Sequence, residues 1–101
     1  MYTYTIEHKH GHYLIVKFDD QAGWYLDIIY VDEQHRGSGI AKEMLAEIAN
    51  EDNYDRPIYL KASNCYGSDV YRLVKLYESF GFRQARQVDI STPFDYNMVL
   101  D

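Results

Sequence analysis

The segment from Trp24 to Ala49 constrains the fold more than any other. Trp24 to Val31 is an almost unbroken apolar run, interrupted only by Asp27. A strand apolar on both faces belongs in the middle of a covered sheet. A polar, glycine-bearing turn follows from Asp32 to Gly39. From Ile40 the period changes: Ile40, Met44, Leu45 and Ile48 fall at helical spacing, with Ala41 and Ala49 beside them. That helix runs out at Asn50 to Asn53. A buried strand, a glycine turn and an amphipathic helix in this order require a sheet with a helix laid on it.

The flanking sequence supplies the rest of that sheet. Tyr2, Tyr4 and Ile6 alternate with Thr3, Thr5 and Glu7, and Leu14, Val16 and Phe18 alternate again beyond the polar turn His8 to His12, which contains Gly11. Period two on both sides of a turn predicts a hairpin. Asp19 to Gly23 is the next break. Pro57 to Ala62 reads as a short buried strand opened by proline. Val70, Leu73, Val74, Tyr77 and Phe80 make one stripe of a second helix, with Ser68 or Asp69 as its N-cap and Gly81 at its end. Phe94, Tyr96, Met98 and Leu100 alternate on a last strand, paired with a weaker one between Phe82 and Val88. The expected order is β-β-β-α-β-α-β-β, an α/β (α+β) fold with a mixed, mostly antiparallel sheet covered by two helices. At 101 residues it is expected to be one domain.

Charge and cysteine content narrow the function classes. With 10 basic and 16 acidic residues the net charge is −6. Such a surface repels phosphate backbones and anionic lipid, so neither nucleic acid nor membrane is expected as the main partner, although a local basic patch still suits one anionic ligand. The single cysteine, Cys65, excludes an internal disulfide and a Cys-based zinc site. No secretory leader is visible after Met1, and no apolar run approaches the ~20 residues of a membrane helix. A cytoplasmic location is the expectation.

The chemistry concentrates in Gln34-His35-Arg36-Gly37-Ser38-Gly39. Two glycines permit a tight bend and close approach to a ligand. Free N–H groups at a helix start favour phosphate or pyrophosphate, and Arg36 adds charge beside them. An ordinary strand-to-helix turn is the competing reading. Two other phosphate loops fail on spacing, because there is no G-x-x-x-x-G-K-[ST] and the G-x-G lacks the third glycine of a dinucleotide fold.

Val31-Asp32-Glu33-Gln34-His35-Arg36-Gly37-Ser38-Gly39-Ile40-Ala41, followed by Leu45, resembles the acetyl-CoA loop of the GNAT superfamily of N-acetyltransferases, whose Q/R-x-x-G-x-G/A pattern is met by Gln34, Gly37 and Gly39. A second segment, Leu76-Tyr77-Glu78-Ser79-Phe80-Gly81-Phe82, is similar to that family's L-Y-x-x-x-G-F signature at a helix end. The resemblance covers Trp24 to Phe82. It implies an acetyl-CoA-dependent N-acetyltransferase using no metal, with Gln34, Arg36, Gly37, Ser38, Gly39, Ile40 and Ala41 around the CoA pyrophosphate. The main chain of Ile29, Tyr30 and Val31 would pair with pantetheine like an added strand, and one N–H there would polarise the thioester carbonyl.

The resemblance also implies Tyr77 as the acid that protonates the departing thiolate, since a phenol holds its proton at neutral pH. A core aromatic on the helix stripe is the other reading of Tyr77. Asp27, the one carboxylate of the central strand, is the candidate base, because burial would raise its pKa. On alternation it shares a face with Tyr25, Ile29 and Val31. A carboxylate paired at a strand edge is the alternative, Glu33 is a second candidate, and a water chain suffices in many members.

Two features depart from the family pattern. The helices that follow the first strand in most members are missing, since the hairpin leads directly to the central strand. An open acceptor site suits a protein lysine or N-terminal amine better than a small amine, unless the partner of a homodimer supplies the wall. Similar stripped-down domains occur among phage- and plasmid-encoded effectors that acetylate a host defence protein, an analogy from size. Related sequences also carry Asn two helical turns before the tyrosine, where Val70 stands here, and Asn64 precedes a longer connection through Gly67. The remaining rivals are a small-molecule N-acetyltransferase and a non-catalytic CoA-binding or protein-interaction module.

Several residues are set aside. His8, His10 and His12 read as a solvated turn rather than a metal cluster. Cys65 reads as a semi-buried thiol without a base, and His35 as a solvent-exposed turn residue. Glu47, Glu51, Asp52 and Asp55 read as a solvated helix face.

Overall fold

A computed structural model describes residues 1–63, 69–86 and 94–101. The chain runs β1 (Tyr2–His8), β2 (Gly11–Lys17), β3 (Trp24–Val31), a 3-10 turn (Glu33–His35), α1 (Ile40–Ala49), β4 (Ile58–Leu60), α2 (Val70–Ser79), β5 (Arg83–Gln84) and β6 (Met98–Leu100). The sheet has six strands in the order β1-β2-β3-β4-β6-β5, with β3 and β4 parallel and the other neighbours antiparallel. This is the expected element order, with the apolar β3 inside the sheet.

Both helices pack on one face. Met44, Leu45 and Ile48 of α1 are fully buried against Ile15, Leu26, Ile58 and Leu60, and Val74, Leu76, Tyr77 and Phe80 of α2 rest against the same cluster. The other face is closed by side chains instead. Val16, Phe18, Tyr25, Tyr59, Tyr96 and Val99 form its core, with Tyr25 stacked on Phe94 at 4.4 Å. The high aromatic content thus covers a face on which no described helix packs.

The structure corrects several expectations. Phe94 and Tyr96 precede the last strand rather than lying on it, because Asn97 interrupts the ladder. Its side-chain amide accepts from the Ala62 N–H at 2.8 Å and donates to the Ala62 carbonyl at 3.0 Å. The apolar stripe of α2 does not reach its first turn, where Val70 is 42% exposed. The polar turn of the hairpin shrinks to Lys9 and His10, since His8 ends β1 and Gly11 opens β2. Glu47 and Asp55 are exposed, as expected, but each also holds a partner: Glu47 accepts from the Tyr13 hydroxyl, and Asp55 accepts from Trp24 Nε1 at 2.8 Å and from Lys17.

The most consequential correction is at Asp27. Ile15 pairs with Leu26 while Leu14 pairs with Ile28, so Asp27 is left over as a β-bulge. One extra residue is thereby inserted into the alternation. Tyr25 lies on the aromatic face, whereas Leu26, Ile29 and Val31 all join the helix face. Asp27 therefore does not share a face with Ile29 and Val31, and it is exposed rather than buried.

Burial, followed by the charges of Asp27 and Asp95, pushes the Tyr25 phenol up to about 12. An unfolded tyrosine ionises near 10. The stability linked to Tyr25 is therefore complete below pH 10 and is lost as pH rises toward 12. Denaturant unfolding across that range should show the wild-type midpoint falling more steeply than that of Tyr25→Phe. Parallel curves would contradict the assignment.

Candidate active site

The pairing of β3 with β4 stops early. Trp24, Tyr25 and Leu26 pair with Ile58, Tyr59 and Leu60, and beyond Leu26 the described neighbours of β3 lie only on its β2 side. The Asp32 N–H donates to the His10 carbonyl at 2.8 Å. Hydrogen-bonded pairs alternate along an antiparallel ladder, so Tyr30 also faces β2, while the N–H and C=O of Ile29 and Val31 point into the gap. Arg36 Nε donates to the Val31 carbonyl at 3.1 Å.

Behind this gap lies a cleft of about 440 Å³. Ile29, Tyr30 and Val31 form one wall, and Leu73, Leu76 and Tyr77 of α2 form the other. His35, Arg36, Gly37 and Gly39 close one end, with Ile40, Ala41, Lys42 and Leu45 of α1.

The loop is held by short local bonds. The His35 N–H donates to the Asp32 carbonyl at 2.8 Å, and the Ser38 hydroxyl donates to the His35 carbonyl. Gly37 and Gly39 take left-handed φ values of 85° and 87°, which disfavour any other residue. A Cβ placed on either glycine would meet nothing, so the space above them is open to a ligand. Gly39 is the N-cap of α1 and has no side chain to satisfy the helix start. The first intrahelical bond runs from the Glu43 N–H to the Gly39 carbonyl, so the N–H groups of Ile40, Ala41 and Lys42 have no acceptor within the helix. These donors, the helix dipole, Arg36 and Lys42 make a positive corner in a chain of net charge −6.

Tyr77 is set by the end of α2. The Phe82 N–H donates to the Tyr77 carbonyl at 3.2 Å and the Gly81 N–H to the Glu78 carbonyl at 3.0 Å. Gly81 is left-handed at φ 98°, and the rings of Tyr77 and Phe82 meet edge-on at 5.9 Å. This is a Schellman stop with its hydrophobic contact, and it accounts for the spacing of Tyr77, Gly81 and Phe82 in the sequence. Burial pushes the Tyr77 phenol above its ordinary value.

The cleft brings together Ile29, Tyr30, Val31, Arg36, Gly37, Gly39, Ile40, Ala41 and Tyr77. It does not include Gln34, which is exposed in the 3-10 turn, or Ser38, whose hydroxyl is spent on His35. Asp27 lies outside it on the bulge. Sequence reasoning missed Lys42, Leu73 and Leu76 as lining residues, although the helical spacing of Leu73, Leu76 and Tyr77 carried a signal. It also placed His35 in solvent, whereas the ring is half-buried and stacked on His10 at 3.6 Å. His12 stacks on Tyr30 and His8 pairs with Glu43, so the histidines brace the loop and helix rather than forming a solvated turn. Asn64, Cys65, Gly67 and Ser68 lie outside the described residues, and Asp69 supplies the α2 cap by accepting from the Tyr71 N–H. Among the described residues no group of His, Cys, Asp and Glu is placed to hold a metal ion, and no helix is long and apolar enough to cross a membrane.

The cleft thus sits where a parallel strand pair splits, with a glycine loop opening a helix at the split. The sequence model of the acetyltransferase (GNAT) domain matches residues 2–84, and the chain belongs to that family. An acetyltransferase of the GNAT family from Staphylococcus aureus superposes with a TM-score of 0.64 at 22% identity, over 88% of this chain and 56% of that one. The chain thus spans little more than half of that relative. The anti-CRISPR protein AcrVA5 superposes with a TM-score of 0.64 at 18% identity, over 98% of this chain and 97% of its own. The NatC complex bound to Gag peptide and CoA gives a TM-score of 0.57 at 20% identity, over 88% of this chain and 58% of that one. No curated protein sequence matches.

Replacing Gly81 by Ala forces a Cβ into the left-handed region and to 3.1 Å from Leu100 Cδ1. The expected loss of unfolding free energy is about 1–2 kcal/mol, measured by urea titration. An unchanged midpoint would mean that the α2 stop does not depend on this glycine.

Proposed function

We propose that the protein transfers the acetyl group of acetyl-CoA to an amine, and that this amine is a lysine or N-terminal amine of a protein. The observation that carries the reading is the convergence of an anion-accepting loop, an open strand edge and a phenol on one cleft. Bound acetyl-CoA supplies the thioester acetyl group and a thiolate that leaves. The N–H groups of Ile40, Ala41 and Lys42, with the backbone from Arg36 to Gly39, suit its pyrophosphate. The polar edge atoms of Ile29 and Val31 suit the amides of pantetheine, as a strand is added to a sheet edge. An N–H on that edge also serves as the donor that polarises the thioester carbonyl.

Tyr77, like any phenol, keeps its proton at neutral pH, and burial raises it further, which supports its role as the acid toward the departing sulfur. Asp27 is exposed, so burial does not make it a base. The proton of the acceptor ammonium is assigned to water instead.

Two observations favour a protein acceptor over a small amine. The turn between β1 and β2 holds only Lys9 and His10, so the helices that follow the first strand in most family members are missing here. Among the similar folds, the NatC complex is bound to a peptide together with CoA. A small-amine acceptor remains the second reading if a homodimer partner completes the wall.

The test is incubation of the chain with acetyl-CoA and a host lysate, read by mass spectrometry for an added acetyl group. Acetylation confined to one or a few proteins is expected, whereas saturable acetylation of free amines without a protein mark would contradict the acceptor class. Tyr77→Phe should lower turnover about 100-fold while acetyl-CoA affinity persists. Unchanged turnover would remove Tyr77 from the acid role. Gly37→Val, whose side chain enters the open space above the loop, should abolish acetyl-CoA binding in calorimetry. Retained binding would move the pyrophosphate elsewhere.

A further inference from the structure

The rings of His10 and His35 stack at 3.6 Å with 19° between their planes. His10 is on the hairpin tip, and His35 lines the cleft beside Arg36 and Gly37. The two are tied twice, since the backbone N–H next to the 3-10 turn, that of Asp32, donates to the His10 carbonyl at 2.8 Å. We propose that His35, in its protonated form, is a further ligand-binding residue for the phosphates held by this loop, and that His10 is the positioning residue that keeps its ring at the cleft. The inference rests on the reading of the cleft as a CoA site and adds a proton to the binding step.

The surroundings decide how many protons the pair takes and where. Two imidazolium rings in contact would repel each other, and Lys9, Arg36 and Lys42 would add to the repulsion, so the stack accepts one proton rather than two. Lys9 and His8 are on the hairpin side, where Glu43 already pairs with His8 at 3.2 Å. Partial burial, then the charges of His35 and Lys9, depress His10 below its ordinary value, with Asp32 opposing them. Glu33 shares the 3-10 turn with His35. An anion in the cleft adds negative charge on the His35 side of the stack. In the proposed arrangement the proton sits on the ring that lines the cleft, His35, and His10 offers its ring face to the cation.

The test is calorimetric titration with dephospho-CoA at pH 8 and pH 6, in buffers of different ionisation heat. This probe lacks the phosphomonoester of CoA, which itself titrates near pH 6. Affinity about fivefold tighter at pH 6 is expected, with net proton uptake on binding. His35→Phe keeps a stacking ring and should bind with a flat pH dependence, whereas His10→Phe should keep the tightening. Binding that is equal at both pH values without proton uptake would overturn the inference and leave the CoA reading standing. Tightening that survives in His35→Phe would also overturn it, by placing the proton elsewhere. No binding at either pH would sink the reading of the cleft and this inference with it.

Discussion

The fold turns on the point where β3 leaves β4. Up to the Leu26–Leu60 pair the two strands share a parallel ladder, and beyond it the polar edge of Ile29 and Val31 is free of β4. The bulge at Asp27 sits at this boundary. A bulge bends its strand and increases its twist, and here it also shifts the phase of the pleat. Leu26 stays in the helix-side core while Ile29 and Val31, after the extra residue, face the same side. Without that shift one of these sets would point to the aromatic face, and the gap would have no apolar wall. The loop and α1 then place unpaired N–H groups at one end of the gap, and the stop of α2 places Tyr77 on its side.

Much of this was legible in the sequence. The order of elements follows from long, clean periodicities, and the bounds of β3 and α1 follow from the change of period at Ile40. The loop was legible because its glycines, its charge and its position between strand and helix all require the same thing. The bulge was not. One extra residue leaves no compositional mark, and an alternation argument assumes an unbroken pleat, so Asp27 reads as a buried carboxylate when it is an exposed one. Asn97 was missed for a related reason: Phe94 and Tyr96 continue the period of the strand although a side-chain amide has replaced the backbone ladder there.

Other departures reflect distance along the chain. Helical spacing says which residues share a face, but not how far the neighbouring sheet extends, and so Val70 joins the stripe in sequence and solvent in the fold. The His10–His35 stack joins a hairpin tip to a loop beyond the next strand, and no local pattern announces it. The stop of α2 is the opposite case. Its bonds close within six residues, from Tyr77 to Phe82, and its signature is correspondingly readable as a motif.

One face of the sheet is covered by two helices, and the described part of the other is closed by stacked and edge-on rings. The central claim is that the gap beyond Leu26 receives acetyl-CoA along the β3 edge with its phosphates at the α1 start. Amide hydrogen exchange with and without acetyl-CoA tests it most directly. The account predicts new protection concentrated at Ile29, Val31 and Ile40 to Lys42. Binding that protected other amides and left these unchanged would contradict it.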